Sequence, residues 1–318
     1  MLNVLVVGAG QIGSRHLQGL VSVRLNLNII VVDISNFSLD LAKLRWGEAG
    51  GNQSHHKIEW CKKIPGDIKN IDLAIVTTSS LGRATLVEQL ALSVNVNYWV
   101  FEKVLAQSRQ ELDLIEYATS NAKNAWVNTP RRLMTWYQKL KIEFNNKGSL
   151  KIKKSGGLWG LACNSIHYID LVNWWTGESL FSVNTRNLDK IWLKSKRLGY
   201  FEVSGELLIK FSGGTELILQ SYPNEVKNIM HIELTDKKHW IINEHEGVAC
   251  KSKKEILSGK VELQSEMTGP MVTKILIDGK CNLPHLKESS KQHAIFLEAM
   301  LSHWNTCNKS NDKAVPIT

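Results

Sequence analysis

The chain has 318 residues, is 43% hydrophobic and 22% charged, and carries a net charge of +9. These values exclude a disordered or fibrous chain and leave room for two domains with substantial cores. No run approaches the roughly 20 apolar residues that span a bilayer, and a first strand expected almost at Met1 leaves no room for a signal peptide, so none is expected. The five cysteines (Cys61, Cys163, Cys250, Cys281 and Cys307) lie far apart without a C-x-x-C, which argues against a disulfide framework or a zinc site. The expectation is a reduced, cytoplasmic protein without a metal. Its positive charge is spread along the chain with no recognised nucleic-acid module, so neither nucleic acid nor membrane is an expected partner, and the excess is read as solvated surface with some steering of an anionic substrate.

In chain order, Val4 to Val7 reads as a strand buried on both faces. Gly8, Gly10 and Gly13 follow at G-x-G-x-x-G spacing, and Ile12, His16, Leu17 and Leu20 then recur at helical intervals. Strand, glycine turn and helix in this order form the dinucleotide fingerprint. Gly8 permits the turn, Gly10 lets the backbone approach a pyrophosphate, and Gly13 lets the helix pack on the strand; the N–H groups around Gln11 and Ile12 face the phosphates. A second strand, Asn28 to Val32, ends in Asp33, 20 residues past Gly13. A carboxylate there binds both hydroxyls of an adenosine ribose and repels a 2′-phosphate, which predicts NAD rather than NADP. A short helix over Leu39 to Arg45, a strand at Lys57 to Trp60, a buried strand over Asp72 to Thr78, a helix over Leu81 to Leu92, a strand at Tyr98 to Phe101, a helix over Glu111 to Ala122 and a strand at Ala125 to Asn128 continue the alternation. This predicts a parallel Rossmann sheet over 1–128. The loop residues Thr77, Thr78 and Ser79 and the pair Glu102-Lys103 fall with the glycines and Asp33 at strand carboxyl ends, where such sheets bind ligands.

From Pro130 the pattern changes. A helix over Arg131 to Phe144, an Asn-Asn-Lys-Gly turn, a strand around Leu150 to Lys154 and a helix over Ile166 to Trp175 come first. Period-two alternation then runs from Phe181 to Ile277, followed by a closing helix over His285 to Trp304 and a frayed tail. Residues 129–318 are therefore expected to form an α+β domain with one large, mostly antiparallel sheet that binds substrate and mediates oligomerisation.

GAGQIGSRH at the start, VTTSS before a helix, the FEK triplet and GGLWGLACNSIHYIDLVNWWTG at the head of the second domain together resemble the glucose–fructose oxidoreductase / inositol dehydrogenase / MocA (Gfo/Idh/MocA) family of NAD(P)-dependent oxidoreductases. The resemblance implies that Lys103 hydrogen-bonds the reacting oxygen and nearby ribose oxygens, with Glu102 beside it at the cofactor, and that His167 serves as general base on the oxidised hydroxyl. Asn128, Arg132, Asn164 and His167 are the expected substrate contacts, Arg132 matching best the arginine of the family's R-x-x-x-x-Y motif. Trp159 and Tyr168 are further candidate lining residues. The family's usual proline after Glu-Lys is replaced by Val104, for which a trans peptide is expected because a cis bond before valine costs about 3 kcal/mol. The aspartate expected four residues before the histidine is replaced by Cys163. No catalytic role is assigned to Arg83, which stands where relatives often have histidine. The expected activity is hydride transfer between nicotinamide and a carbinol carbon of a sugar, amino sugar or nucleotide-linked sugar by a homodimer or homotetramer packed through the second-domain sheet. Val104 and Cys163 motivate the alternative of a non-catalytic NAD-binding regulatory or scaffold member.

Overall fold

A computed structural model of the chain describes residues 1–144, 148–234, 238–252 and 254–318. The expected Asn-Asn-Lys-Gly turn falls largely outside the described residues. The chain divides into two compact units, the first comprising 1–105, 111–130 and 262–287, the second 106–110, 131–261 and 288–318.

The first unit is a six-stranded, wholly parallel sheet. Strands β1 (Leu2–Val7), β2 (Leu27–Val32), β3 (Lys57–Cys61), β4 (Asn70–Val76), β5 (Asn95–Glu102) and β6 (Asn124–Asn128) lie in the order β3-β2-β1-β4-β5-β6. Val4, Leu5, Val6, Ile29, Ile30, Val31, Leu73, Ala74 and Ile75 are inaccessible to solvent, as β-branched runs must be when helices cover both faces of a sheet. The strand order reverses between β1 and β4, and the crevice for a ligand lies beyond the carboxyl ends at that point. Helix α1 (Gln11–Leu20) buries Gly13, His16, Leu17 and Leu20, one face at three- and four-residue spacing. Helices α2 (Asn36–Glu48), α3 (Arg83–Ser93) and α4 (Arg109–Ala118) extend the shorter predicted cores or trim their ends.

Two predictions about the later chain are corrected. Alternation does not continue to Ile277: 264–278 is a helix (here α7, Gln264–Asp278). Its buried Met267, Met271, Val272 and Ile275 follow a helical period, and Glu266 accepts the backbone N–H of Leu263 at its start. Helix α7 packs on α1 at close range because both carry glycine at the crossing: a Cβ on Gly19 would meet the Ser265 carbonyl at 2.6 Å, and one on Gly269 the Ser22 hydroxyl at 2.0 Å.

In the second unit, α5 (Thr135–Phe144) precedes β7 (Leu150–Gly157) and α6 (Leu161–Thr176), and the remaining strands are β8 (Leu180–Leu188), β9 (Leu193–Lys194), β10 (Phe201–Glu202), β11 (Gly205–Phe211), β12 (Glu216–Tyr222), β13 (Ile229–Leu234), β14 (His239–Asn243), β15 (Val248–Lys251) and β16 (Lys254–Ser258). Eight of them form one sheet, β16-β15-β14-β13-β7-β12-β11-β8, with β9 and β10 as a separate pair. The sheet is mixed but mostly antiparallel; β7 and β12 run parallel. Its covered face includes Leu150, Ile152, Leu217 and Leu219, packed with Tyr137, Phe144 and Trp175 in the core. The second correction concerns the tail. After α8 (Leu286–Asn308), Val315 and Ile317 are fully buried, Val315 N–H donates to the Gln107 carbonyl at 3.0 Å and Phe201 N–H to that of Pro316 at 2.9 Å. Backbone pairing and two apolar anchors hold the tail in place.

Candidate active site

The glycine turn of the first unit behaves as its spacing requires. Gly8 has φ +99°, and a Cβ on it would lie 2.9 Å from Thr77 Oγ1; a Cβ on Gly13 would lie 1.9 Å from the Gly8 carbonyl. By contrast, nothing lies within 4 Å of a Cβ placed on Gly10, and no side chain caps α1 there. The amides at Gln11 and Ile12 thus begin a helix whose positive end is open to an anion. Thr77 supports the turn from behind, donating to the Val7 carbonyl at 3.0 Å. The Asp33 carboxylate accepts the N–H groups of Ala9 at 2.7 Å and Ser35 at 2.8 Å. A cavity of about 540 Å³ opens beside it, lined by Gly8, Asp33, Ile34, Ile64, Thr78 and Leu86 among others. Thr78 Oγ1 is buried without a hydrogen-bond partner among the described residues, and Ser79 is half-buried next to it. An apolar-walled cavity, a carboxylate at its rim, an unsatisfied hydroxyl and an uncapped helix start are a set of groups that could hold an adenine dinucleotide.

At the ends of β5 and β6, Glu102 and Asn128 are buried and Lys103 is half-buried. Glu102 Oε1 accepts from His16 Nε2 at 2.9 Å and from Asn128 Nδ2 at 2.5 Å. Burial alone would raise its pKa, but the His16 and Asn128 contacts and the nearby Lys103 charge hold it below the usual carboxylate value. The Lys103–Val104 peptide is cis, which corrects the trans expectation. Its surroundings outweigh the intrinsic preference: Val104 and Leu105 are fully buried, and Arg83 binds the neighbouring carbonyls.

In the second unit, α6 presents Cys163, Asn164 and His167 as a half-buried stripe, while Ile166, Ile169 and Asp170 face the core. This is the division that three- and four-residue spacing gives a helix lying on a sheet. Asn164 Nδ2 donates to the Trp159 carbonyl at 2.7 Å. Glu202 on β10 accepts the N–H groups of Ala162 at 2.8 Å and Cys163 at 3.1 Å, capping the helix. Arg132 is buried and forked onto Asp170, Nε to Oδ2 at 2.9 Å and Nη2 to Oδ1 at 2.6 Å, with Glu288 at 2.7 Å. Its neighbour Arg131 pairs with Glu244 at 2.9 Å, and Tyr137 and Tyr168 also donate to that carboxylate. Burial pushes the Glu244 pKa up, and Arg131 with the two phenols brings it back below the ordinary value. Lys154, beside Trp159 and Tyr168, donates to Asn228 Oδ1 at 2.7 Å; burial lowers its pKa to about 8.

The structure thus gathers Gly8, Gly10, Gln11, Ile12, Gly13, Asp33, Thr77, Thr78 and Ser79 at adjoining strand ends, with Glu102, Lys103 and Asn128 at the ends of β5 and β6. Glu102 and Asn128 turn their polar atoms on one another, and Arg132 on Asp170. Sequence reasoning assigned no role to His16, Arg83, Glu202, Glu244 and Lys154. His16 did carry a signal: a histidine on the buried face of a helix needs a polar partner. The others pair with residues remote in sequence.

The parallel 3-2-1-4-5-6 order is that of a doubly wound dinucleotide-binding sheet, and the second unit carries a large mixed sheet. No family model and no curated protein sequence matches the chain. Solved structures do match it in fold. Levoglucosan dehydrogenase in complex with NADH superposes with a TM-score of 0.70 at 13% identity, covering 96% of this chain and 97% of that one. Scyllo-inositol dehydrogenase from Lactobacillus casei with bound NAD(H) and scyllo-inositol gives 0.67 at 15% identity, with 96% and 97% covered. UDP-N-acetylglucosamine 3-dehydrogenase from Acidithiobacillus ferrooxidans gives 0.66 at 12% identity, with 96% and 99% covered. Among the described residues no cluster of His, Cys, Asp or Glu suits a metal, and no helix is long and apolar enough to cross a membrane.

Proposed function

We propose that this protein is an NAD-dependent oxidoreductase of the Gfo/Idh/MocA type, acting on a carbinol carbon of a sugar, amino sugar or nucleotide-linked sugar. The observation that carries the reading is the uncapped start of α1 at an unobstructed Gly10, next to a cavity rimmed by Asp33. Asp33 favours NAD over NADP, since a 2′-phosphate would meet a carboxylate. When bound, the nicotinamide ring supplies the hydride acceptor or donor. Lys103 donates a hydrogen bond to the substrate oxygen, stabilising charge on it as the C–H bond breaks. His167 takes the hydroxyl proton in the oxidative direction and returns it in the reductive one, because imidazole titrates near neutrality. Asn164, on the same helix stripe, is the proposed contact to a substrate hydroxyl, and Asn128 adjoins Lys103 through Glu102.

The reading includes a cytoplasmic homodimer or homotetramer. Supporting it, the open face of the second unit's sheet presents Phe181 and Ile241 among Lys151, Lys153, Glu216 and Glu233, a mixture of apolar and opposite-sign groups that a second copy can cover. A panel of sugars and sugar nucleotides, followed by nicotinamide absorbance, tests the activity. Turnover should fall by about 10²–10⁴-fold in Lys103→Ala and in His167→Ala, the latter with NAD binding retained. Cofactor binding without turnover of any sugar would instead favour the regulatory alternative, for which Cys163 is the specific observation.

A further inference from the structure

Two sets of groups hold the main chain around Lys103. Behind it, five side chains close a hydrogen-bonded ring. Glu102 Oε1 bonds His16 Nε2 at 2.9 Å; His16 Nδ1 bonds Thr268 Oγ1 at 2.9 Å; Gln264 Nε2 bonds Thr268 Oγ1 at 3.1 Å. Asn128 Nδ2 then donates to Gln264 Oε1 at 2.9 Å and to Glu102 Oε1 at 2.5 Å. His16 and Thr268 are fully buried, and Glu102 and Asn128 nearly so. The Thr268 hydroxyl lies 2.9 Å from both His16 Nδ1 and the Gln264 main-chain carbonyl, which ties the ring to the backbone of α7. It joins α1, β5, β6 and α7, segments up to 252 residues apart in sequence.

The Arg83 guanidinium, 1% exposed, reaches the carbonyls on either side of Lys103. Nη1 donates to the carbonyls of Val104 at 2.7 Å and Leu105 at 3.0 Å and also to that of Glu102, while Nη2 donates to that of Thr78. Those carbonyls bracket Lys103 and link it to the cofactor-side loop after β4. A planar fork with several donors can span them; a single ammonium cannot.

We propose that Arg83 and the His16–Thr268–Gln264–Asn128 ring are positioning residues that fix the main chain on both sides of Lys103 and so set where its ammonium stands. This deepens the oxidoreductase reading and rests on its use of Lys103. The guanidinium holds the carbonyls that flank one functional lysine, and near-attack geometry tolerates only small displacements of such a group.

The test measures Lys103 itself. Competitive acylation of the intact protein across pH, read by peptide mass spectrometry, gives the Lys103 labelling profile with Lys123 and Lys274 as internal references. Three variants are compared with the wild type: Arg83→Lys, His16→Gln, and Thr268→Val, which cuts the ring on the side away from Glu102. The expected result is a change of about threefold or more in Lys103 labelling in every variant that melts cooperatively, with the two reference lysines unchanged. An unchanged Lys103 profile in folded variants overturns the proposal. So does failure of all three to fold, because the ring would then serve the fold rather than the lysine. Hydride transfer is measured on the same samples: absence of turnover in the wild type would sink the oxidoreductase reading, while the labelling still decides the positioning role.

Discussion

The candidate residues of the first unit and those of the second are held by opposite means. Around the glycine turn and Lys103, the first unit uses close backbone approach and a ring built on one carboxylate, with carbonyls as the acceptors for Arg83. Around α6, the second unit uses ion pairs: Arg132 with Asp170 and Glu288, Arg131 with Glu244. Backbone approach tolerates no added atom, whereas a buried ion pair tolerates no missing one. The first unit should therefore fail when side chains are enlarged and the second when a charge is deleted.

The sharpest break should come in the second unit. Asp170→Ala leaves the Arg132 guanidinium buried with its fork partner gone, and the expected loss is about 3–5 kcal/mol in urea unfolding. A smaller loss than that of an exposed pair would show that Glu288 alone suffices. In the first unit, Gly13→Ala drives a Cβ against the Gly8 carbonyl. The expected cost is about 1–3 kcal/mol, together with loss of dinucleotide binding measured by calorimetry. Unchanged binding would show that the turn is not the cofactor's seat.

The smallest effect concerns Lys154. Its folded pKa, about 8, lies below that of an ordinary lysine, so the unfolded chain binds the extra proton between pH 8 and about 10.5. The burial penalty is fully present below pH 8 and disappears as pH rises through that window, so stability rises there. Lys154→Met should be more stable than wild type near neutrality by about 1–2 kcal/mol and should lose that advantage by about pH 10.5. A constant difference across the window would contradict the assignment.

These differences also explain what could be read from the sequence. The parallel sheet, the three glycines and Asp33 were legible because strand period, glycine geometry and a fixed spacing act locally. Helix α7 was missed because its buried face, Met267 to Ile275, follows a stretch of true alternation and lacks a conventional capping side chain. The tail looked frayed because only two of its residues, Val315 and Ile317, are apolar anchors. The cap at the start of α6 was not legible, because Glu202 supplies it from 39 residues away. Arg83 was legible as a departure but not as a clamp, since its acceptors are backbone carbonyls and carry no side-chain signature.

The account depends most on a dinucleotide seated at the start of α1. Titrating the protein with NADH and NADPH, by nicotinamide fluorescence and calorimetry, tests this directly. One NADH should bind per chain and more tightly than NADPH, with affinity reduced about tenfold or more in Asp33→Ala. Binding of neither nucleotide, or equal binding to wild type and Asp33→Ala, would contradict it.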